Sequence, residues 1–248
     1  MNKCDILGVK INALSLQEVL ERIEQNLNNI KGKYICVCNV HTTVMSYENV
    51  SYKNIQSNSY ISVPDGKPLA LICKRKFKYT DRITGPDLMD EVFKISEEKG
   101  YTHYFYGSTE QTLKKLKDNL IKKYPKLKIV GMYSPPFREL KNHEDADIVN
   151  NINNLRPDFL WVGLGAPKQE IWMYNHRIII KSLMIGVGAG FDYFAGNIKR
   201  APKWMQKFSL EWLYRLLQDP KRLWRRYLIT NSKFIYYMIR SNKRNTSV

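Results

Sequence analysis

Asp65 lies in Ser62-Val63-Pro64-Asp65-Gly66-Lys67-Pro68, where an apolar run gives way to a glycine flanked by prolines. A carboxylate on such a turn, at the carboxyl end of a strand, is placed to take a proton from a substrate hydroxyl. It is equally placed to cap the helix that follows. Asn39 and His41, in Cys38-Asn39-Val40-His41-Thr42-Thr43, end another apolar run and would bring polar groups to the same sheet edge. A lone histidine there is more often structural than catalytic. Gly163-Leu164-Gly165-Ala166-Pro167-Lys168-Gln169-Glu170 and Gly186-Val187-Gly188-Ala189-Gly190-Phe191-Asp192 each follow a strand-like run. Small residues let a backbone approach a ligand, and a helix N-terminus attracts phosphate. Neither segment is a GxGxxG fingerprint or a P-loop. Asp145-Ala146-Asp147 spells DxD, which some sugar-nucleotide enzymes use to hold a divalent metal. It precedes a helical run, where acids complement the helix dipole without any metal. HExxH, GxSxG and paired-cysteine metal motifs do not occur, which argues against metalloprotease and α/β-hydrolase chemistry.

These residues need a scaffold, and the patterning supplies one. Strands are expected at 34–40, 60–63, 103–106, 128–132, 159–162 and 184–187, with helices at 16–28, 68–73, 85–99, 111–124, 145–154 and 167–176. Strands separated by helices of this length predict an α/β fold, Rossmann-like, with a mainly parallel sheet flanked by helices. Ligands then bind at the carboxyl ends of the strands. After Gly196 the character changes. A helix is expected from Pro202 to about Leu217, with Trp204, Phe208 and Trp212 on one face. Asp219-Pro220 opens a second helix bearing Arg222, Arg225, Arg226 and Lys233. The organisation expected is an α/β catalytic core, 1–197, and a basic, aromatic-rich helical C-terminal appendage, 198–248.

The 248 residues carry 40 Lys and Arg against 23 Asp and Glu, a net charge of +17. Residues 199–248 hold thirteen of those cations and two of the acids, together with three of the five tryptophans. Eleven of the seventeen net charges therefore lie in the last fifty residues, and an anionic partner is implied. A basic, aromatic amphipathic segment suits the interface of an anionic membrane. A helical hairpin packed on the core with a solvated basic face fits the pattern equally well. No apolar window is long enough to span a bilayer, and the N-terminus lacks the apolar stretch of a signal peptide. Cys4, Cys36, Cys38 and Cys73 show no metal-site spacing and read as buried free thiols of a reducing compartment.

In this order and spacing, the segments resemble the WecG/TagA/CpsF family of bacterial glycosyltransferases. The matching blocks are Asn39-Val40-His41-Thr42, Pro64-Asp65-Gly66, Arg82 to Met89, Val162 to Glu170, Gly188 to Asp192 and the long run from Lys199 to Tyr227. They cover nearly the whole chain, and the likeness is greatest to the members that act in teichoic-acid synthesis. The resemblance implies an inverting, metal-independent transferase without cofactor. It would move N-acetylmannosamine from a UDP-sugar donor to the 4-hydroxyl of N-acetylglucosamine on undecaprenyl diphosphate. The product would be the β-1,4 linkage disaccharide of wall teichoic acid.

By the same resemblance Asp65 is the base, since a single inverting displacement needs one. Asn39, Thr42 and Gln169 would contact sugar. Gly107, Ser108, Gly163 and Gly165 would cradle UDP, with Asp192 near the nucleotide. Without a metal, Arg215, Arg222 and Arg225 would stabilise the departing diphosphate. The appendage would close over the site at the membrane, placing the enzyme peripherally on the inner, cytoplasmic leaflet of the bacterial cell membrane. A solvent-exposed apolar patch would favour a homo-oligomer in solution. The same fold acting on N-acetylmannosaminuronic acid, glucuronic acid or a hexose, in capsule or exopolysaccharide synthesis, is the main alternative. A basic nucleic-acid-binding protein is the non-enzymatic one, although no helix-turn-helix, RRM or zinc-finger signature occurs and no nucleic-acid partner is expected. A nicotinamide-dependent oxidoreductase, suggested by the glycine-rich turns, is a third.

Overall fold

The computed structural model describes residues 1–202, 204–205, 208 and 210–245. Its centre is a six-stranded sheet in which every pairing is parallel, in the order β4-β3-β8-β7-β5-β6. The strands are β3 (Tyr34–Cys38), β4 (Ile61–Pro64), β5 (Thr102–Gly107), β6 (Lys128–Tyr133), β7 (Phe159–Gly163) and β8 (Leu183–Gly186). All six were expected from the sequence; the four central ones are buried on both faces and read as near-continuous apolar runs. Two further strands were not. β1 (Lys3–Ile6) and β2 (Val9–Asn12) form an antiparallel hairpin. Leu7 and Gly8 turn it with φ of 55° and 76°, as a tight two-residue turn requires.

Two apolar layers sandwich the sheet. On one side α1 (Leu16–Asn26), α5 (Gly85–Lys99), α6 (Glu110–Lys123) and α9 (Gly190–Phe194) meet Ile35, Val37, Phe105, Trp161 and Ile185. On the other, α2 (Val40–Glu48), α4 (Lys67–Lys76), α7 (Asn142–Leu155), α8 (Lys168–His176) and the hairpin meet Cys36, Cys38, Tyr104, Leu160 and Met184. Cys36 and Cys38 thus share a face, and all four cysteines are buried and free. α5 keeps the bounds expected, set by the Thr84 N-cap, Pro86 in its first turn and Gly100 in a left-handed C-cap.

The expected strand 34–40 runs two residues too far. Asn39 accepts a bond from Thr42 N at 3.1 Å, and Thr42 Oγ1 accepts from Asn39 N at 2.9 Å. This reciprocal cap starts α2, although its opening residues Val40, Thr42, Thr43 and Val44 are β-branched. α3 (Val50–Ser57) follows, capped by Asn49.

The expected single helix from Pro202 to Leu217 is interrupted. Phe208 lies in a turn, and Leu210 is non-helical at the start of a new helix, Glu211–Gln218. Lys203, Gln206, Lys207 and Ser209, within that expected helix, lie outside the described residues. The terminal helix, Pro220–Asn245, begins where Asp219-Pro220 implied. Leu223, Thr230 and Phe234 are buried beneath it. Lys233 Nζ and Tyr237 Oη both reach Glu48 at 2.7 Å, and the Tyr47 and Tyr237 rings meet at 4.5 Å. Both C-terminal helices therefore fold back on the α/β layer.

Candidate active site

Asp65 directly follows β4. Its N–H donates to Cys38 O on β3 at 2.6 Å, which holds the turn against the sheet edge. Gly66, at φ 94°, swings the chain into α4. The half-buried Asp65 carboxyl is pushed up to about 7, chiefly by burial. Arg82 and Arg215 oppose the rise, and Glu211 and Asp87 reinforce it. A carboxylate at this value exchanges protons readily near neutral pH.

The groups around Asp65 come from both ends of the chain. Arg82 pairs with Glu211 at 2.9 Å, and both side chains are about four-fifths covered. Arg200 pairs with Asp87 at 2.7 Å. The Arg215 guanidinium stands 5.9 Å from the Tyr193 ring centre, and its Nε is buried without a hydrogen-bond partner among the described residues. A buried guanidinium N–H left unpaired is a donor waiting for an anion. Helix Glu211–Gln218 is thus the wall of the Asp65 site.

Neighbouring residues are already partly engaged. Thr42 is 3% exposed and spends its hydroxyl on the cap of α2. Asn39 supplies the other half of that cap and stays half-buried at the end of β3. Burial, with Arg226 nearby, pushes His41 down to about 4, so its ring is neutral at pH 7.

The glycines converge elsewhere on the same edge. β5 and β7 are hydrogen-bonded neighbours, and Gly107 lies opposite Gly163. From β5 the chain passes by α6 to β6 on one side; from β7 it passes by α8 to β8 on the other. That reversal leaves a crevice outside the strand ends, the usual ligand position in open α/β sheets. A Cβ on Gly107 would stand 2.6 Å from Gly163 C, and one on Gly163 would stand 2.6 Å from the Phe191 ring. Ser108 adopts φ 62°, with its carbonyl held by Ser134 Oγ at 2.7 Å. Gly165, at φ 78°, has open space where a Cβ would be.

Gln169 lies beneath these loops. Its Oε1 accepts from Gly165 N at 3.2 Å and Gly188 N at 3.0 Å, and its Nε2 donates to Glu170 Oε1 at 2.7 Å. The side chain is 5% exposed, so it ties the β7 and β8 loops together from below. Asp192 accepts from Asn197 Nδ2 at 3.1 Å, which also reaches Thr112 on α6.

The DxD acids fall on the first turns of α7. Asp145 is held by His176 at 2.7 Å and Trp172 at 3.3 Å, while Asp147 is exposed. Residues two apart on a helix do not share a face, so the pair does not form a chelate. Among the described residues no group of three His, Cys, Asp or Glu converges as a metal site.

Of the three expected leaving-group cations, Arg215 stands beside Asp65. Arg225 is exposed on the terminal helix, and the Arg222 side chain lies outside the described residues. Arg82, Glu211, Tyr193 and Arg200 escaped the sequence reading. Arg82, Arg200 and Glu211 do lie within the blocks that carry the resemblance, which was the available signal.

Comparison with known proteins places the chain in a family. A profile of the Glycosyl transferase WecG/TagA/CpsF family matches residues 4–247. The chain is 31% identical over 224 residues to the N-acetylglucosaminyldiphosphoundecaprenol N-acetyl-beta-D-mannosaminyltransferase of Bacillus subtilis (strain 168), covering 89% of this chain and 84% of that one. Proteins of the same description from Bacillus spizizenii and Staphylococcus aureus (strain MW2) are 28% and 30% identical. They cover 92% and 90% of this chain, and 86% and 87% of their own.

Proposed function

Since the chain belongs to the WecG/TagA/CpsF family of glycosyltransferases, we propose that it transfers N-acetylmannosamine from UDP-N-acetylmannosamine to the 4-hydroxyl of N-acetylglucosamine on undecaprenyl diphosphate. The relatives' descriptions support the sugar and the lipid-linked acceptor. Asp65 takes the proton of the 4-hydroxyl as that oxygen forms a bond to the anomeric carbon of the donor. The bond from that carbon to the diphosphate oxygen breaks, UDP leaves with the electron pair, and the configuration inverts. The product is the β-1,4 disaccharide that begins wall teichoic acid.

The observation that carries this reading is the Asp65 carboxyl, pushed up to about 7 and enclosed by Arg82, Glu211 and Arg215. Deprotonation of an acceptor hydroxyl needs a base whose value lies near the working pH. Negative charge builds on the leaving diphosphate, and Arg215 offers its unpaired N–H to it. Arg222 and Arg225 add charge from the terminal helix. Gly107, Ser108, Gly163 and Gly165 form the diphosphate cradle at the crevice, with Asp192 near the nucleotide. Asn39, Thr42 and Gln169 shape the sugar pocket, the last through the loops it ties.

Residues 198–248 serve as an active-site wall and a membrane foot. Trp224, Leu228, Ile235 and Ile239 are all exposed and recur along one side of the terminal helix. Lys221 and Arg225 flank them, the arrangement of an interfacial helix on an anionic leaflet. No described helix is long and apolar enough to cross a membrane. The enzyme then works peripherally on the inner, cytoplasmic leaflet, where its lipid-linked acceptor resides. Without a membrane, the same apolar side favours self-association.

UDP release measured with UDP-N-acetylmannosamine, its uronic acid counterpart and UDP-glucose, each with lipid-linked N-acetylglucosamine, tests the donor. Turnover confined to UDP-N-acetylmannosamine is expected. Turnover with either other donor alone would move the enzyme to another polysaccharide.

A further inference from the structure

A second cationic cavity lies away from the Asp65 site, where four elements meet. Leu7 and Gly8 of the hairpin turn, Tyr47 of α2, Lys53 of α3, and Arg240 and Ser241 of the terminal helix line about 270 Å³. At about 30 Å³ per water, that is room for roughly nine waters, or one phosphodiester with a small alcohol.

The charges in this corner are unevenly matched. Glu48 is engaged by both Lys233 and Tyr237. Asp5 is engaged by Lys10 Nζ and Gly8 N, each at 2.7 Å. Lys53 and Arg240 line the cavity, and neither meets a carboxylate among the described residues. The nearby acids are thus spent on other donors. Two cations brought to one cavity without a counter-charge make a ready anion site. Lys53 Nζ lies close over the turn: a Cβ on Gly8 would stand 2.5 Å from it.

The place of the cavity says which anion. Arg240 continues the helix that exposes Ile235, Tyr236 and Ile239 just before it. With those side chains resting on a leaflet, Arg240, about 100° around the helix from Ile239, would lie on the flank at headgroup depth, at the mouth of the cavity. We propose that this cavity seats the phosphate of an anionic phospholipid headgroup, with Lys53 and Arg240 as its cations. The phosphate would then fix the far end of the terminal helix on the leaflet. The inference rests on the membrane-surface reading above and adds a discrete site to it.

The test is co-sedimentation of the full chain with vesicles of phosphatidylcholine alone or mixed with phosphatidylglycerol. Three variants change the cavity. Lys53→Met keeps the side-chain stem, Arg240→Gln removes the second charge, and Ser241→Phe fills the space without changing charge. Lys117→Gln, an exposed cation on α6 across the sheet, is the control. About five-fold weaker binding to the phosphatidylglycerol vesicles is expected for each charge removed from the cavity. Ser241→Phe should weaken binding comparably, Lys117→Gln should not, and phosphatidylcholine should bind all forms weakly and equally. Unfolding midpoints near wild type for Lys53→Met or Arg240→Gln keep the comparison valid if Ser241→Phe folds poorly. Equal losses from Lys117→Gln and the cavity variants would replace the site with diffuse attraction. Undiminished binding by both charge variants would overturn the site and leave the membrane reading standing. Absence of wild-type binding to every vesicle would overturn both. Glycerol phosphate displacing the protein from vesicles at constant ionic strength would assign the cavity to a soluble phosphate and refute the lipid.

Discussion

Replacing Asp65 by Asn should stabilise the protein while removing its chemistry, and the gain should depend on pH in a defined direction. The Asp65 carboxyl ionises at about 7 in the folded chain, against an ordinary 3.8. Between those values the folded chain holds a proton that the unfolded chain has lost. The group's contribution is therefore complete below the ordinary value, falls as pH rises, and is fully lost above about 7. The slope within that window is about 1.4 kcal/mol per pH unit. From about pH 5 to about pH 8, only the first two units count, an upper bound of about 2.7 kcal/mol. Asp65 is half-buried, and solvent screening reduces this to about 1–2 kcal/mol. Asn has no such slope, so the variant should gain that amount on wild type across the interval. Urea unfolding of both proteins at the two pH values reads the difference directly. A difference independent of pH would show that burial does not govern Asp65. A carboxyl that Arg82 and Arg215 hold below its ordinary value of 3.8 would give that same flat difference, because its pH dependence then lies below the interval. A flat difference refutes the argument for a base poised near neutrality.

The same electrostatics predict that kcat/KM rises with pH through about 7 as Asp65 loses its proton. Arg82→Gln should move that limb to higher pH and Glu211→Gln to lower pH, because the first removes a positive charge and the second a negative charge from beside the carboxyl; shifts in one shared direction would exclude the arrangement. Arg215→Ala should lower kcat by about 10²–10³ with a smaller effect on KM, as loss of a donor to developing charge does; steady-state kinetics at saturating donor decide it. Removing residues after Gly196 should abolish transfer while leaving a cooperatively folding core, since both apolar layers of the sheet are built almost wholly from earlier residues. An active truncated enzyme would separate the C-terminal segment from catalysis.

The sheet and its ligand edge were legible because their signals are local. Strands such as Phe159–Gly163 are apolar throughout, and α5 carries a cap, a proline and a terminal glycine within its own residues. α2 was hidden because Val40, Thr42, Thr43 and Val44 are β-branched and follow directly on the strand β3; the reciprocal bonds of Asn39 and Thr42 outweigh that propensity. The hairpin was overlooked although Cys4, Ile6, Val9 and Ile11 alternate around Leu7-Gly8. Asp65 stood out by its place on a turn, but its electrostatic setting did not. Arg82 and Glu211 are far apart in the chain, and only the folding back of the C-terminal segment brings them together. Gln169 was expected against sugar and is found beneath the loops, since nothing local signals that two distant glycine N–H groups converge on one amide.

The most direct test of the account is transfer by wild type and Asp65→Asn with UDP-N-acetylmannosamine and lipid-linked N-acetylglucosamine, on vesicles in the presence of EDTA. Asn keeps the shape and much of the hydrogen bonding of Asp but cannot take the proton. Loss of a positioned general base costs about 10²–10⁴ in rate. A fall of that size, with donor binding retained and wild-type turnover unaffected by EDTA, is the result expected. Transfer by Asp65→Asn within a few-fold of wild type would contradict the assignment of Asp65 as the base.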